Sequence, residues 1–387
     1  MRPAARVAAA IGILDDILAG SPAEQALIRW ARASRFAGSG DRAAIRDLVF
    51  EALRRRDSLA ALGGGPGGRG LMLGLLRLRS EDPAGVFTGE RHAPEPLGEA
   101  EKAGGTTPAE ADRLGDMPDW IWQHWQASLG SRALPLAHMM RERAPVWLRV
   151  NSRLSGPEQA CASLLRDGIT AKEDPRLAGA LLVTDGERRI NASEAYRTGL
   201  VELQDLSPQL ACASLPLKQG ARVLDYCAGG GGKSLALAAR EDLRITAHDA
   251  APSRMADLPE RAKRAGVSIR IETREKLGGD YDLVVADVPC SGSGTWRRTP
   301  DSKWRIRPED LRELLATQAQ ILSQSAALTG PGGFLAYMTC SLLDVENGDQ
   351  IDAFMTDNPE FSEQIRSNWT PLEASDGFFL SLLKRRQ

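Results

Sequence analysis

Residues 201–387 of this 387-residue chain predict an α/β fold built on a parallel, doubly wound sheet, with a small α+β module and an all-helical segment ahead of it. Three observations carry that reading. Short apolar runs alternate with amphipathic helical stretches throughout 201–387, as expected of strands covered on both faces. A glycine-rich turn, Asp225-Tyr226-Cys227-Ala228-Gly229-Gly230-Gly231-Gly232-Lys233-Ser234, follows the first of those runs and opens a helix. Residues 3–60, by contrast, place apolar side chains at helical spacing.

In chain order, Val7, Ile11, Leu14, Ile17 and Leu18 share one helical face. Ser21-Pro22-Ala23-Glu24 caps a second helix that runs to about Arg35, with proline at its first position. Asp41–Leu62 predicts a third, with Ile45, Leu48, Val49 and Leu53 inward and Arg54-Arg55-Arg56 in its C-terminal half. Gly63–Gly70 reads as a flexible break before an apolar helix at Leu71–Leu78. Glu81–Met117, rich in Pro, Gly and acids, reads as short helices and linker. Pro118–Leu129 is an amphipathic helix whose Trp120, Trp122 and Trp125 are expected to pack inward. From Pro145 the character changes. Val146–Asn151 is strand-like, Glu158–Asp167 helical, and Ala180–Asp185 and the stretch near Glu194–Val201 are short strands. Then strands at Arg222–Tyr226, Arg244–His248, Ser268–Glu272, Tyr281–Ala286 and Phe334–Met338 alternate with helices at Lys233–Arg240, Pro252–Ala265, Pro308–Leu328 and Asp344–Asp357. Gly377–Lys384 closes as a strand. The expected domains are 1–117, 118–200 and 201–387.

Composition narrows the function classes. Formal charge is −2, so the chain is no polycation. Charge is instead segregated: residues 1–80 carry thirteen arginines, no lysine and seven acids, and residues 81–120 carry ten acids against three bases. Five cysteines without CxxC spacing argue against a disulfide framework or zinc site and for a reducing, cytoplasmic compartment. No stretch approaches the roughly 20 apolar residues of a membrane span. The apolar run Val7–Leu14 stops at Asp15-Asp16, which argues against a signal peptide. The four histidines have no ligand spacing.

The glycine-rich turn lets backbone N–H groups approach a ligand at a helix N-terminus. It is no Walker A loop, which would need glycine at Cys227. Asp249, ending the second strand 24 positions after Asp225, is placed to bind ribose hydroxyls, so the ligand is a nucleoside-bearing cofactor. Cys290, after Asp287-Val288-Pro289, and Cys340, in Met338-Thr339-Cys340-Ser341, end the fourth and fifth strands; neighbouring strand ends in a parallel sheet share one crevice. Two thiols and an acid there suit methylation of cytosine C5. A thiolate added at C6 makes C5 nucleophilic, a carboxyl group near N3 stabilises the adduct, and a further group removes the C5 proton. Beyond Cys290 runs a basic segment, Arg297, Arg298, Lys303, Arg305 and Arg307, with Trp296 and Trp304 interleaved. That composition suits phosphates and stacked bases.

The stretches DYCAGGGGK, ADVPCSGSGTWRRTPDSKW, TCSLLDVENGDQ, VELQDLSPQL and DGFFLSLLKR together resemble the bacterial RsmB/Sun family of RNA 5-methylcytosine methyltransferases, most densely over residues 145–387. The resemblance implies a class I (Rossmann-like) AdoMet-dependent methyltransferase domain preceded by a small α+β RNA-binding module. Asp41–Leu62 resembles a NusB-like RNA-binding domain, which implies 16S rRNA, free or in a 30S assembly intermediate, as substrate; the expected state of the chain is a monomer. Carried over by position, Cys340 would be the nucleophile, Cys290 would assist release, and Asp287 would contact base and cofactor. Cys227, Ala228, Gly229, Gly230, Gly231, Gly232, Lys233 and Asp249 would hold S-adenosyl-L-methionine. Arg149 and Asn151, within an RVN segment, would touch RNA, as would Arg297, Arg298, Lys303 and Arg305. Two departures stand out. CAGGGGK lacks the family's proline at Gly230, which implies a more flexible loop, and Thr273 stands where the family has an acid near the adenine. The alternatives are a tRNA or DNA cytosine methyltransferase, DNA enzymes using the Pro-Cys cysteine as nucleophile, and a non-catalytic ribosome-assembly factor.

Overall fold

Residues 1–106 and 115–387 are described by the computed structural model; positions 107–114 of the expected linker lie outside the described residues. The chain divides into two units: Met1–Arg143 with Trp296–Arg307, and Ala144–Thr295 with Pro308–Gln387. The helices Asp119–Leu129 and Ala133–Met139 are grouped with the first unit.

The first unit is helical. Its helices α1 (Pro3–Leu18), α2 (Ala23–Ala33), α3 (Ser39–Arg54), α4 (Arg56–Gly63) and α5 (Gly68–Leu78) close over Leu14, Ile45, Val49, Leu53, Leu59 and Leu71–Leu73. The single helix expected at Asp41–Leu62 breaks at Arg55, whose φ of −121° and ψ of 31° leave the helical region. Gly63–Gly70 is not a slack connection. A Cβ on Gly63 would lie 1.8 Å from the Gly70 carbonyl oxygen, and one on Gly74 would lie 2.1 Å from that of Leu59. These glycines let α4 and α5 touch backbone to backbone. Trp125 is buried, as expected, and stacks on Trp296 at 5.9 Å; Trp120 and Trp122 are half-buried.

The second unit holds two sheets. β1 (Val146–Val150), β2 (Thr170–Glu173), β3 (Ala180–Asp185) and β4 (Val201–Leu203) form an antiparallel sheet in the order β2-β3-β1-β4. With the helix Pro157–Arg166 and the turn of helix Glu194–Arg197 between them, the order along the chain is βαββαβ. The strand expected near Glu194–Val201 is in its first half that helical turn, because the Ser193 hydroxyl accepts the Tyr196 N–H at 3.3 Å and caps it.

The larger sheet runs β10-β11-β9-β8-β5-β6-β7. β5 (Arg222–Asp225), β6 (Arg244–Ala247), β7 (Ile269–Ile271), β8 (Tyr281–Asp287) and β9 (Thr329–Thr339) pair in parallel. β10 (Phe361–Trp369) and β11 (Phe378–Arg385) form an antiparallel hairpin on β9. The sheet is thus mixed rather than wholly parallel. The strand order reverses between β5 and β8, the crevice where ligands bind in such sheets. Asn151 ties the smaller sheet to this layer, its side-chain amide donating to the carbonyls of Gly199 at 3.2 Å and Ala265 at 2.9 Å. Among the described residues no helix is long and apolar enough to cross a membrane.

The two glycine environments make opposite expectations. Gly74→Ala gains helix propensity worth ~1 kcal/mol but forces a methyl into the Leu59 backbone, so urea unfolding of the chain is expected to show a net loss of about 1–3 kcal/mol. Gly12→Ala, where nothing lies within 4 Å of the added methyl, is expected to stabilise by up to ~1 kcal/mol.

Candidate active site

The parallel register aligns the strand ends. Asp225 is level with Val285, and Asp287 with Met338. Past β5, the glycine-rich turn folds back on β6, the Ala228 N–H donating to the His248 carbonyl at 2.9 Å. Gly231, at φ 78°, opens the helix Gly232–Arg240; a Cβ there would sit 2.2 Å from Leu258 Cδ1. Asp249 is buried and accepts the N–H groups of Gly229 and Ala251, both at 2.9 Å. The turn is therefore tied at several amides despite the missing proline, and the Arg261 guanidinium caps the Gly230 carbonyl. Asp225, fully buried, accepts from the Ser234 N–H at 3.1 Å and hydroxyl at 2.6 Å with one oxygen, while the other has no hydrogen-bond partner. Burial pushes its pKa up to about 6.

These features fit a nucleoside-bearing cofactor: bare backbone at Gly229–Gly231, a carboxylate at Asp249, and the start of a helix. Lys233 is half-buried and ion-paired to Asp287; desolvation acts downward on its pKa, but that carboxylate holds it above the usual lysine range. Cys227 and Ala228 occupy the turn itself, the Cys227 thiol pushed well above the usual range first by burial and then by Asp287, Asp225 and Asp249. Thr273, just past β7, is exposed.

Three residues beyond β8 and one beyond β9, the sulfurs of Cys290 and Cys340 lie 3.4 Å apart. Hydrogen bonding to Cys340, then burial, raises the Cys290 pKa well above the usual thiol value. Cys290 is therefore held as the protonated thiol of the pair.

Sequence reasoning missed Glu346, which is 0% exposed and lies between the two cysteine loops. One carboxylate oxygen accepts the Ser291 N–H at 2.8 Å and the Gln318 side-chain amide at 3.0 Å. The other accepts the hydroxyls of Ser291, at 2.5 Å, and Ser341. Asn347 braces the second loop, donating to the Ser341 carbonyl at 3.0 Å and accepting the Thr339 hydroxyl at 2.5 Å. The sequence signal was present in TCSLLDVENGDQ, where an acid follows the cysteine by six positions, but only the fold puts that acid beside Ser291.

Several residues expected to touch RNA are placed otherwise. Asn151 is the buried tie described above. Arg149, 8% exposed, donates from Nε to Gln204 at 2.7 Å within the sheet layer. Lys303, 0% exposed, donates to the Arg54 carbonyl at 3.1 Å inside the helical unit, and burial lowers its pKa to about 8. Arg297 is buried, its carbonyl accepting Arg54 Nε at 2.7 Å. Trp296 packs on Trp125, and Trp304 donates to the Leu53 carbonyl at 2.7 Å. A side chain closed off from solvent cannot meet a phosphate, so this segment is chiefly a structural insert of the helical unit. Arg298 is half-buried and Arg305 exposed.

A parallel sheet with its ligand crevice at the β5/β8 switch and an antiparallel hairpin on one edge has the architecture of the Rossmann-like methyltransferases. Comparison with known proteins narrows this class. Residues 212–384 match the family described as 16S rRNA methyltransferase RsmB/F, and residues 117–188 match its RsmF/B-like ferredoxin-like domain. Ribosomal RNA small subunit methyltransferase B of Xanthomonas campestris is 33% identical over 298 residues, covering 71% of this chain and 68% of that protein. Of solved structures, PH0851 superposes with a TM-score of 0.76 at 21% identity, covering 100% of this chain and 99% of that one. NSun6 from Pyrococcus horikoshii, solved with SFG, gives 0.62 at 16% identity, covering 71% and 100%. At such identities the two structures establish the fold. The chain belongs to the RsmB/F family of RNA methyltransferases, and spans about two thirds of the length of the curated relatives it matches.

The thiol environments set an order of reactivity. Cys212 is pushed to about 11 by burial, and Cys227 higher still. Iodoacetamide at pH 8 followed by peptide mass mapping is expected to find Cys340 alkylated first, and Cys212 and Cys227 at least about tenfold more slowly. Cys227 reacting as fast as Cys340 would contradict this description of the site.

Proposed function

We propose that the chain methylates C5 of a cytosine in small-subunit (16S) rRNA, using S-adenosyl-L-methionine and a covalent adduct at Cys340. The observation that carries this is the pair of thiols 3.4 Å apart at the ends of neighbouring strands, beside Asp287. Gly229–Lys233, Asp249 and Asp287 would hold the cofactor, which supplies an electrophilic methyl group when bound.

Cys340 attacks C6 of the cytosine as a thiolate, forming a carbon–sulfur bond and shifting the ring electrons toward C5 and N3. Cys290, its sulfur 3.4 Å away, lies within hydrogen-bonding distance of the Cys340 sulfur. N3 takes a proton from solvent as the electrons arrive, and Asp287, fixed at the strand end by its pairing with Lys233, accepts the N3–H and stabilises the adduct. Once C5 carries the methyl group, its proton must leave and the carbon–sulfur bond must break, returning the Cys340 thiolate and the aromatic base. Cys290 gives its proton to solvent and, as the thiolate, takes up the C5 proton, so that the carbon–sulfur bond can break. The target must be unpaired or extruded, because attack at C6 needs the face of the ring. Arg305 and Arg298 are the members of the basic run that offer phosphate contacts. The enzyme acts in the cytoplasm as a monomer.

Separate removal of the thiols tests the assignment. Cys340→Ala is expected to lower methyl transfer to 16S rRNA by ~10³-fold or more and to trap no protein–RNA complex. Cys290→Ala is expected to accumulate a covalent complex that survives denaturing electrophoresis. The reverse pattern would assign attack to Cys290.

A further inference from the structure

We propose that Glu346 is a positioning residue that sets the two cysteine loops against each other, acting on Cys290 through Ser291 and on Cys340 through Ser341. The proposal rests on the assignment of attack to Cys340 and release to Cys290. Regular pairing of β8 with β9 stops at Asp287 and Met338, followed by a Val288 N–H to Met338 carbonyl bond at 3.0 Å. Beyond that point the chains are irregular, yet their sulfurs must stay within a few tenths of an ångström of a working separation. Glu346 supplies what the ladder no longer does. Its four hydrogen bonds come from four donors, two of them on Ser291 and one on Ser341. Each serine directly follows one of the cysteines.

The carboxylate is itself held in place. It leaves the short 3₁₀ turn Asp344–Glu346, and its backbone carbonyl accepts the Tyr337 hydroxyl at 2.7 Å. Gln318, from the helix Pro308–Leu328, donates to Glu346 and also to the Pro289 carbonyl at 2.9 Å, the residue before Cys290. Ser293 completes the frame, its hydroxyl 2.9 Å from that of Ser341 and accepting the Leu342 N–H at 2.8 Å. Only an acceptor on both oxygens satisfies this arrangement. Glutamine would turn an amide donor toward groups that already donate, and aspartate is one methylene too short to reach both loops. With no exposed surface Glu346 cannot touch the base, so it works through its neighbours.

The two legs should separate kinetically. Glu346→Gln is expected to lower kcat by about 10²-fold while AdoMet affinity and the KM for RNA stay within about twofold. Ser341→Ala, in a Cys290→Ala background, is expected to slow formation of the trapped complex about tenfold in single-turnover assays. Ser291→Ala in the otherwise native chain is expected to raise the steady-state amount of covalent complex, as a partial loss of release would. Each serine variant removes only part of the network, so the proposal remains testable if Glu346→Gln does not fold. Serine variants that both leave their step at the parental rate would overturn the proposal. So would loss of AdoMet binding in proportion to activity in Glu346→Gln, which would make the carboxylate a general support of the fold. If instead Cys290 proves to be the attacking thiol, the mechanism above fails while the positioning role stands, provided each serine still alters only its own cysteine's step.

Discussion

The register between β8 and β9 governs where both thiols lie. Val284 is level with Leu335, Ala286 with Tyr337, and Asp287 with Met338. Slipping either strand by one residue would move one sulfur about 3.3 Å along the sheet and turn its side chains to the opposite face. Burial prevents the slip: Val284, Val285, Ala286, Leu335, Ala336, Tyr337 and Met338 are each 0% exposed, divided between the cores on the two faces of the sheet. The packing that stabilises the domain is thus the same packing that sets its chemistry.

Around that frame the site separates charges with care. Lys233 neutralises Asp287 at the mouth of the cofactor turn, and Asp225 behind them accepts from Ser234. Glu346 sits deeper still, its charge spread over donors from both cysteine loops. Cys290, next to Glu346 and hydrogen-bonded to Cys340, is held protonated.

Much of this was legible in the sequence. The alternation of apolar runs placed five parallel strands, and the stretches ending in Asp287-Val288-Pro289-Cys290 and Thr339-Cys340 stood out as strand ends. Asp249 was legible from its distance to the glycines. What could not be read were contacts between residues far apart in the chain. Glu346 looks like any surface acid until the fold brings it to Ser291. Lys303 and Arg297 read as solvated charges, but Trp304, Arg54 and the end of α3 bury them. The glycines at 63–74 read as slack because sequence does not reveal that two helix backbones meet there. Asn151 was assigned to RNA by position, whereas its amide joins two backbone carbonyls within the protein.

The central claim is that Cys340, not Cys290, forms the bond to the base. It is tested most directly with substrate RNA carrying 5-fluorocytidine at the methylated position, where no C5 proton is available for release and the adduct persists. Proteolysis and mass mapping of the trapped complex should place the nucleotide on the peptide containing Cys340. A nucleotide found on Cys290, or methyl transfer with no adduct on either cysteine, would contradict the account.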